Sequence, residues 1–139
     1  MAFRTNWIED KRIIYTELIG TLTSEEAQAM SDTHARFLSE GEAPVHLIVD
    51  VTHLDGVPNN LRQNASMGGY LRHPALGWTV LIGGSVLVNF MVSVIGQVFK
   101  FHYSKRENLE DAMTYLISQD TSLAGATERV LARKAQLQA

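Results

Sequence analysis

The chain has 139 residues, 45% of them apolar and 19% charged, which is enough for one hydrophobic core and too little for two. Fifteen acidic against twelve basic side chains give a net charge of −3, so nucleic-acid binding through overall positive charge is excluded. The absence of cysteine excludes disulfides, thiolate nucleophiles and cysteine-ligated metal centres, and suits a cytoplasmic protein. Residues 1–10 contain no apolar h-region, so no secretory signal is expected.

Residues 6–9 and 12–19 predict two strands joined by a tight turn at Asp10 and Lys11, the second strand being rich in Ile, Tyr and Thr. Thr23, Ser24, Glu25 and Glu26 match a capping box, in which the Thr23 hydroxyl accepts from the Glu26 amide and the Glu26 side chain returns to the cap. The helix that starts there carries Ala27, Met30, His34, Phe37 and Leu38 along one stripe and closes at Gly41. Residues 45–51 are nearly continuous and β-branched, as expected of a strand covered on both faces. Residues 52–60 are dense in turn formers and read as a loop, the place where function often sits.

Residues 61–72 predict a modest helix, weakened by Gly68 and Gly69. A buried strand follows at 78–82, then Gly83, Gly84 and Ser85 turn the chain into a helix over 86–99. A short last strand is expected at 101–103. The final strong helix begins near Asn108 with Leu109, Ala112, Met113, Leu116 and Ile117 on one face. Residues 1–120 form the expected domain, and 121–139 a tail with loose helical spacing at Leu123, Val130, Leu131 and Leu137.

No charged residue lies between His73 and Lys100, so a membrane span must be weighed. Pro74, Gly77 and the Gly83-Gly84-Ser85 turn cut the stretch. The uninterrupted piece, residues 85–100, is about 24 Å long as a helix, short of the roughly 30 Å hydrocarbon core. Charge is also uneven: residues 1–60 carry four basic and ten acidic side chains, whereas 61–106 carry five basic and none acidic.

The element order calls for an α/β fold, a mixed sheet with covering helices in a single domain. That order, together with Gly20-Thr21-Leu22-Thr23, Val49-Asp50-Val51-Thr52, His73-Pro74 and Leu109-Glu110-Asp111-Ala112, resembles the SpoIIAA-like STAS family over roughly residues 5–120. The resemblance implies a non-enzymatic interaction module, as in anti-sigma factor antagonists. There a serine at the start of the helix after the second covered strand is phosphorylated to break a partner complex. This chain has Gly56 and Val57 where such serines would stand, so no regulatory phosphorylation is expected over 55–60, and Thr52 is the nearest strand-end hydroxyl.

The motifs for chemistry are sparse. Gly83-Gly84-Ser85-Val86-Leu87 lacks the last glycine of a hydrolase nucleophile elbow, so no catalytic residue is assigned. Asp50, His53 and Asp55 could approach one metal, but no helical His or Glu pair supports them, and neither a metal nor a cofactor is expected. His34 reads as a core histidine bonded to a backbone carbonyl, with His46 and His102 alike, while His73 shapes the turn before Pro74. If the strands at 45–51 and 78–82 are parallel neighbours, their carboxyl ends bring Asp50, Thr52 and His53 beside Gly84 and Ser85, whose amides open a helix and favour anions. The helix over 85–100 is apolar almost all round, leaving only Asn89, Ser93, Gln97 and Lys100 polar. Its surplus face, with Phe90, Met91, Val94 and Val98, is expected at a homodimer interface. The alternative is a carrier or sensor of a small or lipid-like molecule, with the same helix as a pocket wall. A protein partner is the expected binding target, and a membrane surface or lipid the less favoured one.

Overall fold

The structure is a computed structural model and describes residues 2–56, 65–84 and 102–138. Alternation of apolar side chains dictates two-sided burial. In β2 (Ile13–Thr21), Ile14, Thr16 and Leu18 face one way and Ile13, Tyr15 and Glu17 the other; β3 (Val45–Gly56) continues the pattern with Leu47, Val49 and Val51 against Ile48. β1 (Phe3–Glu9), β4 (Leu76–Ile82) and β5 (Tyr103–Arg106) complete a mixed five-stranded sheet in the order β1-β2-β3-β4-β5. β1 is antiparallel to β2 and the remaining neighbours are parallel. The α/β class and the single-domain mixed sheet expected from the sequence are those observed.

Consecutive parallel crossovers that step in one direction must lie on one sheet face. α1 (Ser24–Glu40) and the 3-10 segment Ala65–Arg72 share that face and touch each other. α1 begins at the Thr23 capping box, with both reciprocal bonds made, and is capped by Gly41 at its other end. It lays Ala27 and Leu38 against Ile14, Leu18, Leu47 and Val49. On the opposite face α2 (Leu109–Gln119) packs on β4 and β5, and α3 (Thr127–Gln138) packs on β1. Leu116, Met113, Ala126 and Val130 fill a second core with Ile13, Ile48 and Val80. Each of the larger side chains, the alanine aside, contributes about 1.5–3 kcal/mol by its burial.

Three element expectations change. Residues 52–56 are strand rather than loop: β3 runs on to Gly56, because two register shifts against β2 absorb the turn-forming residues and Leu54 stays buried. Within the modest helix expected over 61–72, residues 65–72 take the 3-10 form, consistent with the cost of Gly68 and Gly69; residues 61–64 lie outside the described residues. The last strand is Tyr103–Arg106 and not 101–103, since a short edge strand tolerates the charged pair Lys105 and Arg106; Phe101 lies outside the described residues.

One polar clip fastens the C-terminal helices to the amino ends of the strands. The backbone N–H of Trp78 donates to His46 Nδ1 at 2.9 Å, so Nε2 carries the proton and donates to Asp120 Oδ2 at 2.9 Å. Arg12 donates to the same carboxylate oxygen at 2.8 Å. The His46 ring fits only because Gly77 has no Cβ, which would come within 2.6 Å of Nδ1. Asp120 also caps the short 3-10 turn Thr121–Leu123, accepting from the Ser122 amide and hydroxyl. Burial raises the Asp120 carboxyl, but the bonds from His46 and Ser122 outweigh it and hold the group at about 2.

A carboxylate held below its unfolded value stabilises the fold above about pH 4, and that contribution disappears as pH falls toward 2. Asp120→Asn is therefore expected to cost about 1–3 kcal/mol at pH 7, and the gap from wild type to close between pH 4 and pH 2 in urea titrations.

Candidate functional site

The register places Arg4, Glu17, Asp50, Ile82 and Arg106 in one row across all five strands. α2 and α3 pack on the outer strands, and the centre of this row is only partly covered. Arg4 pairs with Glu17, and Arg106 stacks on the Tyr115 ring with its guanidinium carbon 4.3 Å from the centroid. Asp50 sits between them without a cation among the described residues. Its Oδ2 accepts from the Tyr15 hydroxyl at 3.2 Å and its Oδ1 from the Thr52 amide at 2.9 Å. Burial, reinforced by the Asp50 charge, pushes the Tyr15 phenol well above its ordinary value, so it remains a donor.

Beyond Asp50 the strand ends form an exposed rim. The extra residue in β3 at the register shift leaves both Thr52 and His53 exposed, and His53 lies beside Ile19 of β2. Ile19 is 43% exposed, unusual for a large aliphatic side chain in this sheet. Asp55 is exposed one step further on. Of the predicted ligand group, Asp50, Thr52 and the turn after β4 do come together. Gly83 has φ 74° and a Cβ there would lie 2.3 Å from Thr52 Oγ1, so the strand-end turn is in contact with Thr52. Gly84 is also left-handed, with φ 102°. Ser85 lies outside the described residues, as do Phe90, Met91, Val94 and Val98. Among the described residues no group of acids and histidines has the arrangement of a metal site, and no helix is long and apolar enough to cross a membrane.

Two features escaped the sequence reading. The parity of β2 puts Ile19 on the same face as Tyr15 and Glu17, which was visible, but not that this end of the face stays bare. The His46 bond to Asp120 joins positions 74 residues apart and left no local signal. His34 is in the core as expected, yet its partner is a side chain and not a carbonyl: Nε2 lies 2.7 Å from Thr16 Oγ1, which shares a 2.9 Å hydrogen bond with Thr5. Its other nitrogen has no hydrogen-bond partner among the described residues, and the imidazole packs edge-to-face with the Tyr70 ring, their centroids 4.7 Å apart. Burial alone lowers the imidazole to about 3. His73 accepts from the Ala75 amide at 3.0 Å and so shapes the entry to β4 as the sequence suggested, whereas His102 is exposed beside Trp78.

No protein-family model matches the sequence, and no curated protein matches it. Solved structures do match the fold. An uncharacterized protein from Shewanella loihica with a SpoIIAA-like fold aligns at 20% identity and TM-score 0.60, over 83% of this chain and 92% of that one. The anti-sigma factor antagonist SpoIIAA in its unphosphorylated form aligns at 17% identity and TM-score 0.56, over 83% and 97%. The phosphorylated form of SpoIIAA, the Bacillus cell fate determinant, aligns at 13% identity and TM-score 0.58, over 83% and 99%. The chain thus has the SpoIIAA-like fold that its sequence resembles.

Gly83→Ala is expected to destabilise the fold by about 1–2 kcal/mol from the left-handed backbone alone, with a further loss from the Thr52 contact. In a double-mutant cycle followed by chemical unfolding, Thr52→Ala should recover part of that second loss. For His34, the unfolded chain takes up a proton near pH 6.5 and the folded chain only near 3, so its contribution is complete above pH 6.5 and is lost as pH falls toward 3. Its imidazole NMR signals should not titrate between pH 5 and 8. A His34→Asn variant should be less stable overall and lack this part of the acid sensitivity.

Proposed function

We propose that the protein is a non-enzymatic regulatory module of STAS type that works in the cytoplasm by binding another protein. The observation that carries this reading is the strand-end rim, where Ile19 stands exposed beside Glu17, Asp50, Thr52, His53 and Asp55 at the carboxyl ends of the parallel strands. A large aliphatic side chain ringed by polar groups has the anatomy of a protein-contact hot spot. Support from outside the molecule is the fold shared with SpoIIAA, an anti-sigma factor antagonist. Self-association belongs to the same reading: the nearly all-apolar sequence over 85–100 supports a homodimer through Phe90, Met91, Val94 and Val98.

The rim is tested with Ile19→Lys, which sets a cation among Glu17, Asp50 and Asp55 at a position 43% exposed and should leave urea unfolding cooperative and within about 1 kcal/mol of wild type. Protein cross-linked to the wild-type chain in its native cells, then identified and re-bound in purified form, should lose at least tenfold in affinity for the variant. Equal affinity for both chains would discard the rim. Sedimentation equilibrium of the wild type reports the dimer separately.

A further inference from the structure

The strand-end rim also carries the charge that decides what kind of partner fits it. Strand register fixes where the charges stand: Glu17 of β2 lies opposite Asp50 of β3, and Ile19 opposite His53. Alternation puts Glu17 and Ile19 on one face of β2. Leu54 is buried in the α1 layer, so its neighbour Asp55 turns to the opposite face, the one on which Asp50 lies. Three carboxylates therefore stand beside one exposed aliphatic side chain.

Only one of the three is neutralised, Glu17 by Arg4. Asp50 is half-buried and accepts from Tyr15 and Thr52, both neutral donors. Asp55 is exposed and makes no ion pair among the described residues. The described cations of β5 do not redress the balance: Arg106 is turned onto the Tyr115 ring, and Lys105 stands opposite Leu81, on the α1 face. α2 starts three residues after β5 ends, so its acidic first turn, Glu110 and Asp111, adds to the negative charge at this end of the sheet.

A partner that covers Ile19 also strips water from Asp50. An acidic partner surface would then meet repulsion at Asp50 and Asp55, and a neutral one would leave a desolvated carboxylate without a countercharge. A cation offsets both losses. Glu17 and Ile19 are two residues apart on an extended strand, roughly 7 Å, so the cation and the apolar contact of the guest must be close neighbours, as residues two apart in a strand or three to four apart in a helix are. We propose that the rim, read as above as a protein-contact surface, selects a basic segment of its partner, in which a Lys or Arg pairs with Asp50 and an adjacent apolar side chain packs on Ile19.

The test is selection of a displayed library of random dodecapeptides on the full-length protein, followed by binding to Ile19→Lys, Asp50→Asn and Asp55→Lys chains that unfold cooperatively in urea. Enriched peptides should carry Lys or Arg two to four residues from an apolar side chain and bind Ile19→Lys about tenfold more weakly than wild type. Asp50→Asn keeps an acceptor for the Thr52 amide but removes the charge, so binding to it should also fall about tenfold and depend less on salt. Asp55→Lys, at an exposed position, should slow association and reads the charge even where Asp50→Asn does not fold. Peptides that are lost on Ile19→Lys yet carry no cation, or that bind the folded Asp50→Asn and Asp55→Lys chains as tightly as wild type, overturn the basic partner and leave the rim standing. Peptides indifferent to Ile19→Lys remove the rim and this proposal together, and absence of any enrichment overturns this proposal alone.

Discussion

Two-sided burial of β3 is the constraint on which the rest of the structure depends. Val45, Leu47, Val49 and Val51 point to the α1 face, while His46 and Ile48 point to the face of α2 and α3, and all six are buried. A slip of one residue would exchange the two sets and drive His46 into the apolar layer under α1. Neither face can therefore be built without fixing the other. The bond from His46 to Asp120 forms only in the correct register, so it reports on register as well as stabilising it.

The two buried histidines resolve the same problem differently. His34 is kept neutral by burial in the α1 layer, with a chain of two threonine hydroxyls on one nitrogen and an aromatic ring packed edge-to-face with the imidazole. His46 is also held neutral by burial, but Asp120 opposes the shift. Its two nitrogens are divided between a backbone donor and a carboxylate acceptor, which fixes the tautomer without any appeal to charge. One histidine thus ties a helix to the sheet through hydroxyls, and the other ties the C-terminal helices through an acid.

Most of the fold was legible because its signals are local. The Thr23 and Glu26 capping box, the β-branched run from Val45, and Asn108 before Leu109 each announce an element within a few residues, and each element is there. The limits are equally physical. Turn-forming composition at Thr52 to Gly56 suggested a loop, because nothing local reveals that β2 will accommodate extra residues through shifted pairing. Asp50 and Thr52 were read as neighbours of the β4 turn, and the contact between Thr52 and Gly83 follows from parallel pairing that could be argued in advance. Ile19 could not be singled out in that way. Its significance lies in what fails to cover a surface, a property of the assembled layers rather than of any sequence window.

The clip at the amino ends of the strands also orders events during synthesis. Arg12 and Asp120 are 108 residues apart, and the segment that carries Asp120 leaves the ribosome long after β1 to β4. Until it does, His46 lacks its acceptor, and Ile13, Ile48 and Val80 lack the helices that cover them. The nascent sheet can form its α1 face early but must carry an uncovered apolar face for most of translation, the condition under which chaperones engage a chain. Late closure by the C-terminal helices makes the final folding step a long-range one, slow by contact order even though each helix is simple in itself.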